Sequence, residues 1–145
     1  MRKISMAGAV AVALLVPVAA ASAVSAPAAA RAYVDKRVRD CPGQGPGCRP
    51  GAVTHYWYNH GSSARGVGWV YASREGVRSG TARWLVKKPG GTWKAGSGWK
   101  RATRVSTFVE TSWGRDGHTG PVYPRGTRIC VEFKGLSTKA CVTLK

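Results

Sequence analysis

Acids and histidines are scarce in this sequence. Its 145 residues include six aspartates and glutamates and three histidines, against 23 lysines and arginines, so the formal net charge is +17. Acid–base and metal-assisted catalysis both need carboxylates or imidazoles that converge on one point. The spacing of these few residues matches no known catalytic or metal motif. We therefore predict that the protein is not an enzyme and that it has no metal and no cofactor.

Two other activities remain open at this point. A small secreted nuclease needs a carboxylate base, a histidine acid and a cation for the phosphate. Glu110, His118 and Arg115 could supply these groups, although almost any basic domain offers an equivalent set. A protease inhibitor would also fit a small rigid domain, but no loop in the sequence marks a reactive site.

Charge is absent from residues 4–30, which follow two basic residues and include an apolar run over 7–20. This order of charged, apolar and small residues is typical of a secretory signal peptide. The run is too short and too rich in alanine for a membrane-spanning helix. Small residues at 21–23 and 28–30 provide two cleavage sites. We predict a cleaved signal peptide over residues 1–30, secretion, and no transmembrane segment.

The sequence has few cysteines, but their number is even, which in an exported chain predicts two disulfides. Cys41 and Cys48 enclose a segment of glycine, proline and glutamine that can only be a tight loop, so we predict that they pair. Their spacing is not that of zinc ligands.

The other two cysteines belong to a predicted C-terminal hairpin. A two-residue type II′ turn at Gly135-Leu136 would set Cys130 opposite Cys141 and Glu132 opposite Lys139. Strict alternation from that turn gives the cysteine pair the wider Cα separation, about 5.5 Å.

Long helical periods are lacking, whereas β-branched and aromatic runs alternate with turn residues. Strands are predicted near 53–59, 66–73, 81–88, 101–111, 127–134 and 138–144. The fold class is therefore all-β, a small antiparallel β-sandwich or barrel of about six to seven strands with two local disulfides, in a β-domain over 53–145. Trp57, Trp69 and Trp84 fall within these strands and are predicted to fill the core.

Residues 31–52 precede this domain as a basic N-terminal arm that includes the loop between Cys41 and Cys48. A short edge strand or a frayed terminus is one interpretation of its first ten residues. The other is an arm that adds itself to the sheet or cleft of a partner. The partner-binding residues predicted in it are Arg31, Tyr33, Val34, Lys36, Arg37, Val38 and Arg39.

Trp93 and Trp99 lie in a glycine-rich segment beside lysines, and Lys100 and Arg101 follow directly. Such a segment suits a protein interface, a sugar platform or a base-stacking surface. The tryptophans could equally pin the loop to the domain. We predict these four residues as partner-binding.

Basic residues are in large excess after the signal peptide, where 21 lysines and arginines exceed the six acids by 15. A domain of this charge is attracted to acidic surfaces and to polyanions. We predict a secreted protein partner with an acidic surface. Two alternatives are an anionic polymer of the cell envelope, as for a cationic antimicrobial protein, and nucleic acid bound without sequence specificity.

The segment Tyr123–Glu132 together with Lys139-Ala140-Cys141 resembles the endings of small exported actinobacterial proteins. A basic arm before a disulfide-stapled β-domain is similar to the adaptor subunit of the umbrella toxin particles. The resemblance implies a subunit that links a repeat-bearing toxin chain to lectin-like subunits. Residues 56–62 also resemble the lactococcin-972-like bacteriocins, from which the cysteines depart.

Overall fold

The computed structural model describes residues 32–42, 48–115 and 117–145. The predicted signal peptide and Arg31 lie outside the described residues. Within the described part the protein is all-β, as predicted, and contains ten strands rather than six or seven. No helix that could span a membrane occurs among these residues. The strands are β1 (Tyr33–Asp40), β2 (Gly51–Asn59), β3 (Ala64–Glu75), β4 (Gly80–Lys87), β5 (Lys94–Ala95), β6 (Lys100–Val105), β7 (Phe108–Gly114), β8 (Val122–Pro124), β9 (Arg128–Phe133) and β10 (Ala140–Thr143).

The strands form one antiparallel sheet that is nearly closed into a barrel. Its order is β1-β2-β3-β7-β6-β4-β9-β10, while the short strands β5 and β8 pair with β4 and β3. The two ends of the sheet meet where the Cys141 amide donates a 2.7 Å hydrogen bond to Asp40 Oδ2. In this ring of eight strands, β2 and β4 are four positions apart and therefore lie on opposite walls.

Alternate residues of the strands fill the barrel interior, as the two-residue period of a strand requires. Ile129, Val131 and Phe133 of β9 are buried, and Trp84 of β4 packs in the same core. The prediction that Trp57 and Trp69 also fill the core is wrong. On β2 the buried positions fall to Thr54 and Tyr56 and on β3 to Val67 and Val70, so both tryptophans face outward.

Both disulfides form as predicted, between Cys41 and Cys48 and between Cys130 and Cys141. The hairpin register is also confirmed, because Cys130 lies opposite Cys141 in the pairing of β9 with β10. The cysteine Cα atoms are 4.0 Å apart, so the prediction of the wider separation is wrong.

The predicted turn of this hairpin is also wrong. The Leu136 amide donates to the Phe133 carbonyl at 3.0 Å, and Gly135 has a φ of 77°. The turn is therefore centred on Lys134-Gly135, with the glycine at the position that needs a positive φ. Paired residues begin only at Val131 and Ala140.

The single strand predicted over 101–111 is in fact two strands, β6 and β7. They are joined by a turn at residues 106–107, where Ser106 has a φ of 54°. A non-glycine residue rarely adopts this conformation, and the turn contains neither glycine nor proline. The sequence therefore gave no signal that the chain reverses here.

Residues Tyr33–Asp40 of the predicted arm form one strand of the barrel wall. Strand β1 pairs with β2 along its whole length, from Tyr33 opposite Asn59 to Asp40 opposite Ala52. Val34 and Val38 are half-buried, whereas Tyr33 and Lys36 are exposed. The edge-strand interpretation thus describes this segment.

Candidate functional site

The outer surface of β4 and β9 is the first candidate site. Because Ala82, Trp84 and Val86 point into the barrel, the alternation of a strand places Arg83 and Lys87 on its outer face. The cross-strand neighbour of Arg83 is Glu132, and that of Lys87 is Arg128. We call the outward surface formed by Arg83, Lys87, Trp93, Trp99 and Arg128 the tryptophan wall.

Two exposed indoles dominate the tryptophan wall. The side chains of Trp93 and Trp99 are 41% and 44% exposed. The guanidinium carbon of Arg83 lies 4.5 Å from the ring centroid of Trp99. Lys87 Nζ and Arg128 Cζ lie 5.9 Å and 5.7 Å from that of Trp93. These are cation–π distances, so the structure brings the two predicted tryptophans together with cations.

One acid, Glu132, lies beside this wall and is neutralised within the protein. Its Oε1 accepts a 2.5 Å hydrogen bond from Arg83 Nε, and its Oε2 lies 3.2 Å from Lys139 Nζ. Burial opposes ionisation of Glu132, but the hydrogen bonds from Arg83 and Lys139 outweigh it and hold its pKa below the usual value. Lys87 and Arg128 have no carboxylate partner among the residues that the structure describes, so the wall remains strongly positive.

The other two predicted residues of this segment lie differently. Lys100 Nζ donates a 2.8 Å hydrogen bond to the carbonyl of Ser112 on β7, which draws it away from the wall. Arg101 is exposed on β6 and lies opposite Thr81 of β4. Sequence reasoning missed Arg83, Lys87 and Arg128 as site residues, because their grouping depends on the cross-strand register of β4 with β9.

The outer surface of β1, β2 and β3 is the second candidate site, and at its centre one carboxylate contacts two imidazoles. Asp35 Oδ1 lies 2.9 Å from His55 Nε2 and 3.0 Å from His118 Nε2. The Tyr33 ring centroid is 3.9 Å from that of His118 and 5.1 Å from that of Trp57. This cluster joins β1 to β2 and to the loop that carries His118. Sequence reasoning did not find it.

Glycines on β3 explain why large rings occupy this outer surface. The pairing of β2 with β3 shifts register between His55 and Tyr56. A Cβ atom at Gly66 would lie 2.1 Å from the Trp57 ring, and one at Gly68 would lie 2.4 Å from His55 Nδ1. The two rings therefore rest directly on glycine backbone.

We expect Gly66→Ala to displace Trp57 and to lower the free energy of unfolding by about 1–3 kcal/mol, the usual cost of overpacking. Chemical denaturation of the variant and the wild type would measure this loss. Gly98→Ala is the matched control, since no atom lies within 4 Å of its Cβ position. Equal stability of the two variants would contradict the packing described for Trp57.

The two histidines of the cluster change the pKa of the Asp35 carboxylate. The hydrogen bond from His118, with that from His55, holds the pKa of Asp35 below its usual 3.8 against the effect of burial. A lowered pKa means that the folded state favours the ionised carboxylate. Its contribution to stability is therefore present above pH 3.8 and is lost as the pH falls through the lowered pKa.

We accordingly expect Asp35→Asn to be less stable than the wild type near neutral pH, and this difference should shrink as the pH falls below 3.8. Thermal unfolding followed by circular dichroism between pH 7 and pH 2 would show it. Glu75→Gln serves as the control for loss of one acid. A difference that stays constant over this range would contradict the role of the carboxylate.

Two of the three groups of the nuclease alternative, Glu110 and His118, have separate partners. Glu110 accepts a short hydrogen bond from the Tyr71 hydroxyl, and burial, together with Glu110, raises the pKa of Tyr71. His118 is held by Asp35 on another part of the surface. Among the described residues no contact joins Glu110 to His118.

The remaining predicted arm residues lie on β1. Arg37 and Arg39 are exposed on its outer face, and the guanidinium carbon of Arg37 is 5.2 Å from the Trp69 ring centroid.

No group of three or more histidine, cysteine or acidic side chains within the described ranges could hold a metal ion. A scan against protein-family models and searches of curated proteins and of solved structures found no match to this chain.

Proposed function

We propose that this is a secreted, non-enzymatic binding protein that serves as an adaptor or interaction subunit of an extracellular assembly. The observation that carries the proposal is the tryptophan wall, where two exposed indoles lie beside cations. Tryptophan and arginine dominate the binding energy of protein interfaces. Lys87 and Arg128, which have no carboxylate partner among the described residues, favour an acidic partner surface. The resemblance to umbrella-particle adaptor subunits agrees with this role.

An adaptor also needs a second contact, and we assign it to β1. Arg37 and Arg39 give this strand its charge. Because β2 pairs with one edge of β1, the other edge can contact a partner strand. Because β2 lies across the barrel from β4, a partner on the outer face of β2 and a partner on the tryptophan wall could be held at once. The two disulfides are compatible with the secretion that we propose, since such bonds persist in oxidising compartments.

The proposal is tested by purifying the tagged protein from its own culture medium and identifying the co-purified proteins by mass spectrometry. The wild type and Lys87→Gln/Arg128→Gln are compared. The control is Lys88→Gln/Arg125→Gln, which removes the same charge from exposed positions outside the tryptophan wall. A secreted partner should be retained by the wild type and the control and lost by the wall variant. Retention by the wall variant, or no partner at all, would contradict the proposal.

The charge of the wall supports a second candidate, a protein that binds anionic envelope polymers. The two candidates differ in their dependence on salt, because polyanion binding is driven largely by release of counterions. An interface anchored by buried indoles depends less on screened charges. The second candidate would be favoured if the protein captured no protein partner and if its binding to an anionic polymer disappeared at moderate salt.

A further inference from the structure

A groove crosses the outer surface of β1, β2 and β3, on the wall opposite the tryptophans. It consists of two adjoining depressions of about 470 Å³ and 410 Å³. Arg39 and Val53 line both of them, so the two depressions are neighbours along the same strands. The groove is distinct from the tryptophan wall and shares no residue with it.

The register of the strands explains the shape of this groove. One cross-strand row runs from Arg39 on β1 through Val53 on β2 to Tyr71 on β3. In the next row His55 lies between Arg37 and Trp69. Val53 is therefore a small residue between two long side chains, and the groove follows β2 from Gly51 past Val53 until the His55 ring closes it.

The two ends of the groove are also defined. At one end the His55 ring stacks on Trp69 at 6.0 Å. At the other end the Cys48 side chain packs against Gly51, where an added Cβ would lie 2.8 Å from Cys48 Cβ. The distance from residue 51 to residue 55 is about 13 Å at the rise of a β-strand. This is the length of about four residues of an extended peptide.

The two sides of the groove differ in chemistry. Arg37 and Arg39 form a cationic side, although the guanidinium of Arg37 also reaches the Trp69 ring, 5.2 Å from its centroid. Neither arginine has a carboxylate partner in the described part of the chain. Three carboxylates nearby are engaged elsewhere: Asp35 with the two histidines, Asp40 with the Cys141 amide and Glu110 with the Tyr71 hydroxyl. Trp69 and Tyr71 form an aromatic side, and the Tyr71 hydroxyl is bonded to Glu110.

We propose that this groove binds an extended acidic peptide segment of a partner protein, in which acidic and apolar residues alternate. In an extended chain, side chains two residues apart are about 7 Å apart and alternate ones point to opposite sides. Arg37 and Arg39, like Trp69 and Tyr71, are two residues apart on their strands. One set of peptide side chains therefore meets the arginines, while the other faces Tyr71 and the Trp69 ring, which also contacts Arg37 and His55. This inference rests on the proposed role of β1 as the second contact, and it places the peptide on the face of the sheet.

The test uses calorimetric titration of the whole mature protein with an end-capped peptide of eight residues that alternates Glu and Val. A block isomer with four Glu followed by four Val has the same composition and charge. The alternating peptide should bind at least about tenfold more tightly. Both peptides can set two carboxylates at the spacing of the arginines, but in the block isomer the intervening residues are also Glu, so charged side chains rather than Val would face the aromatic side. Equal affinity of the two peptides would overturn the proposal, because it would mean attraction by charge alone.

Two variants test the groove from its two sides. Arg37→Glu/Arg39→Glu should weaken the alternating peptide at least about tenfold, whereas Arg125→Glu/Lys134→Glu carries the same charge change at exposed positions outside it. Val53→Phe fills the floor without a change in charge and should weaken binding similarly. Full binding by Val53→Phe would overturn docking on the face and leave the strand edge as the site. Circular dichroism confirms that each variant is folded.

Two other possible occupants of the groove, a second copy of the protein and an acidic oligosaccharide, would give different results. Sedimentation of the protein alone that shows a dimer dissociated by Arg37→Glu/Arg39→Glu would assign the groove to a second copy and overturn the proposal. Tighter binding of an acidic oligosaccharide, lost in the same variants, would overturn it as well. A Trp93→Ala/Trp99→Ala variant should bind the peptide with unchanged affinity. Failure of the groove is thus distinguishable from failure of the tryptophan wall.

Discussion

Serine in place of both Cys130 and Cys141 should lower the free energy of unfolding by about 2–4 kcal/mol. The bond closes a loop with a sequence separation of 11 residues, and Cys130 is completely buried. It also fastens β10, the strand whose Cys141 amide bonds to Asp40 and so brings the two ends of the sheet together. Urea unfolding followed by tryptophan fluorescence would measure the loss.

The matched control is Cys41→Ser/Cys48→Ser, which removes the other disulfide. We expect a smaller loss there, because β1 and β2 remain paired along their full length without that bond. A greater loss from the control than from the Cys130 and Cys141 pair would show that the barrel does not depend on the β9–β10 bond for its closure.

Under the proposed function, Trp93→Ala/Trp99→Ala should weaken binding of an acidic partner at least about a hundredfold, since each indole at the centre of an interface contributes about 2 kcal/mol or more. Replacing the indoles also removes the rings against which Arg83, Lys87 and Arg128 lie. The affinity would be measured by calorimetry with the partner isolated from the culture medium. The unfolding temperature should change little, because both side chains are exposed.

Val122→Ala is the control for this pair, because Val122 is a hydrophobic residue that is 55% exposed and lies outside the wall. Its affinity should equal that of the wild type. If the tryptophan variant bound within about threefold of the wild type, the wall would not be the partner-binding surface.

The C-terminal hairpin shows what the sequence could predict. Alternation of apolar residues on β9 and the position of Cys130 and Cys141 each favour one register, and the structure has that register. The turn was misassigned because Gly135 suits two turn types, and the choice depends on the Leu136 amide bond to Phe133. Local pattern thus determined the face of each residue but not the geometry of the turn.

The outer surfaces were much harder to predict. On β2, tyrosines and tryptophans alternate, so the pattern identifies two faces but does not say which one is inside. The answer depends on space above Gly66 on another strand. The contact of Asp35 with His118 joins residues 83 positions apart, and that of Arg83 with Glu132 joins residues 49 apart. Such contacts cannot be predicted from the local sequence pattern, because the two residues are far apart in the sequence.

The opposite placement of β2 and β4 in the ring has a thermodynamic consequence. Sites that share no residues and are separated by a packed core are expected to contribute independently to binding. Under our proposal, the protein would then be a passive spacer, whose affinity for one partner is unchanged by saturation with the other. The fraction of molecules that bridge both partners would be the product of the two separate occupancies.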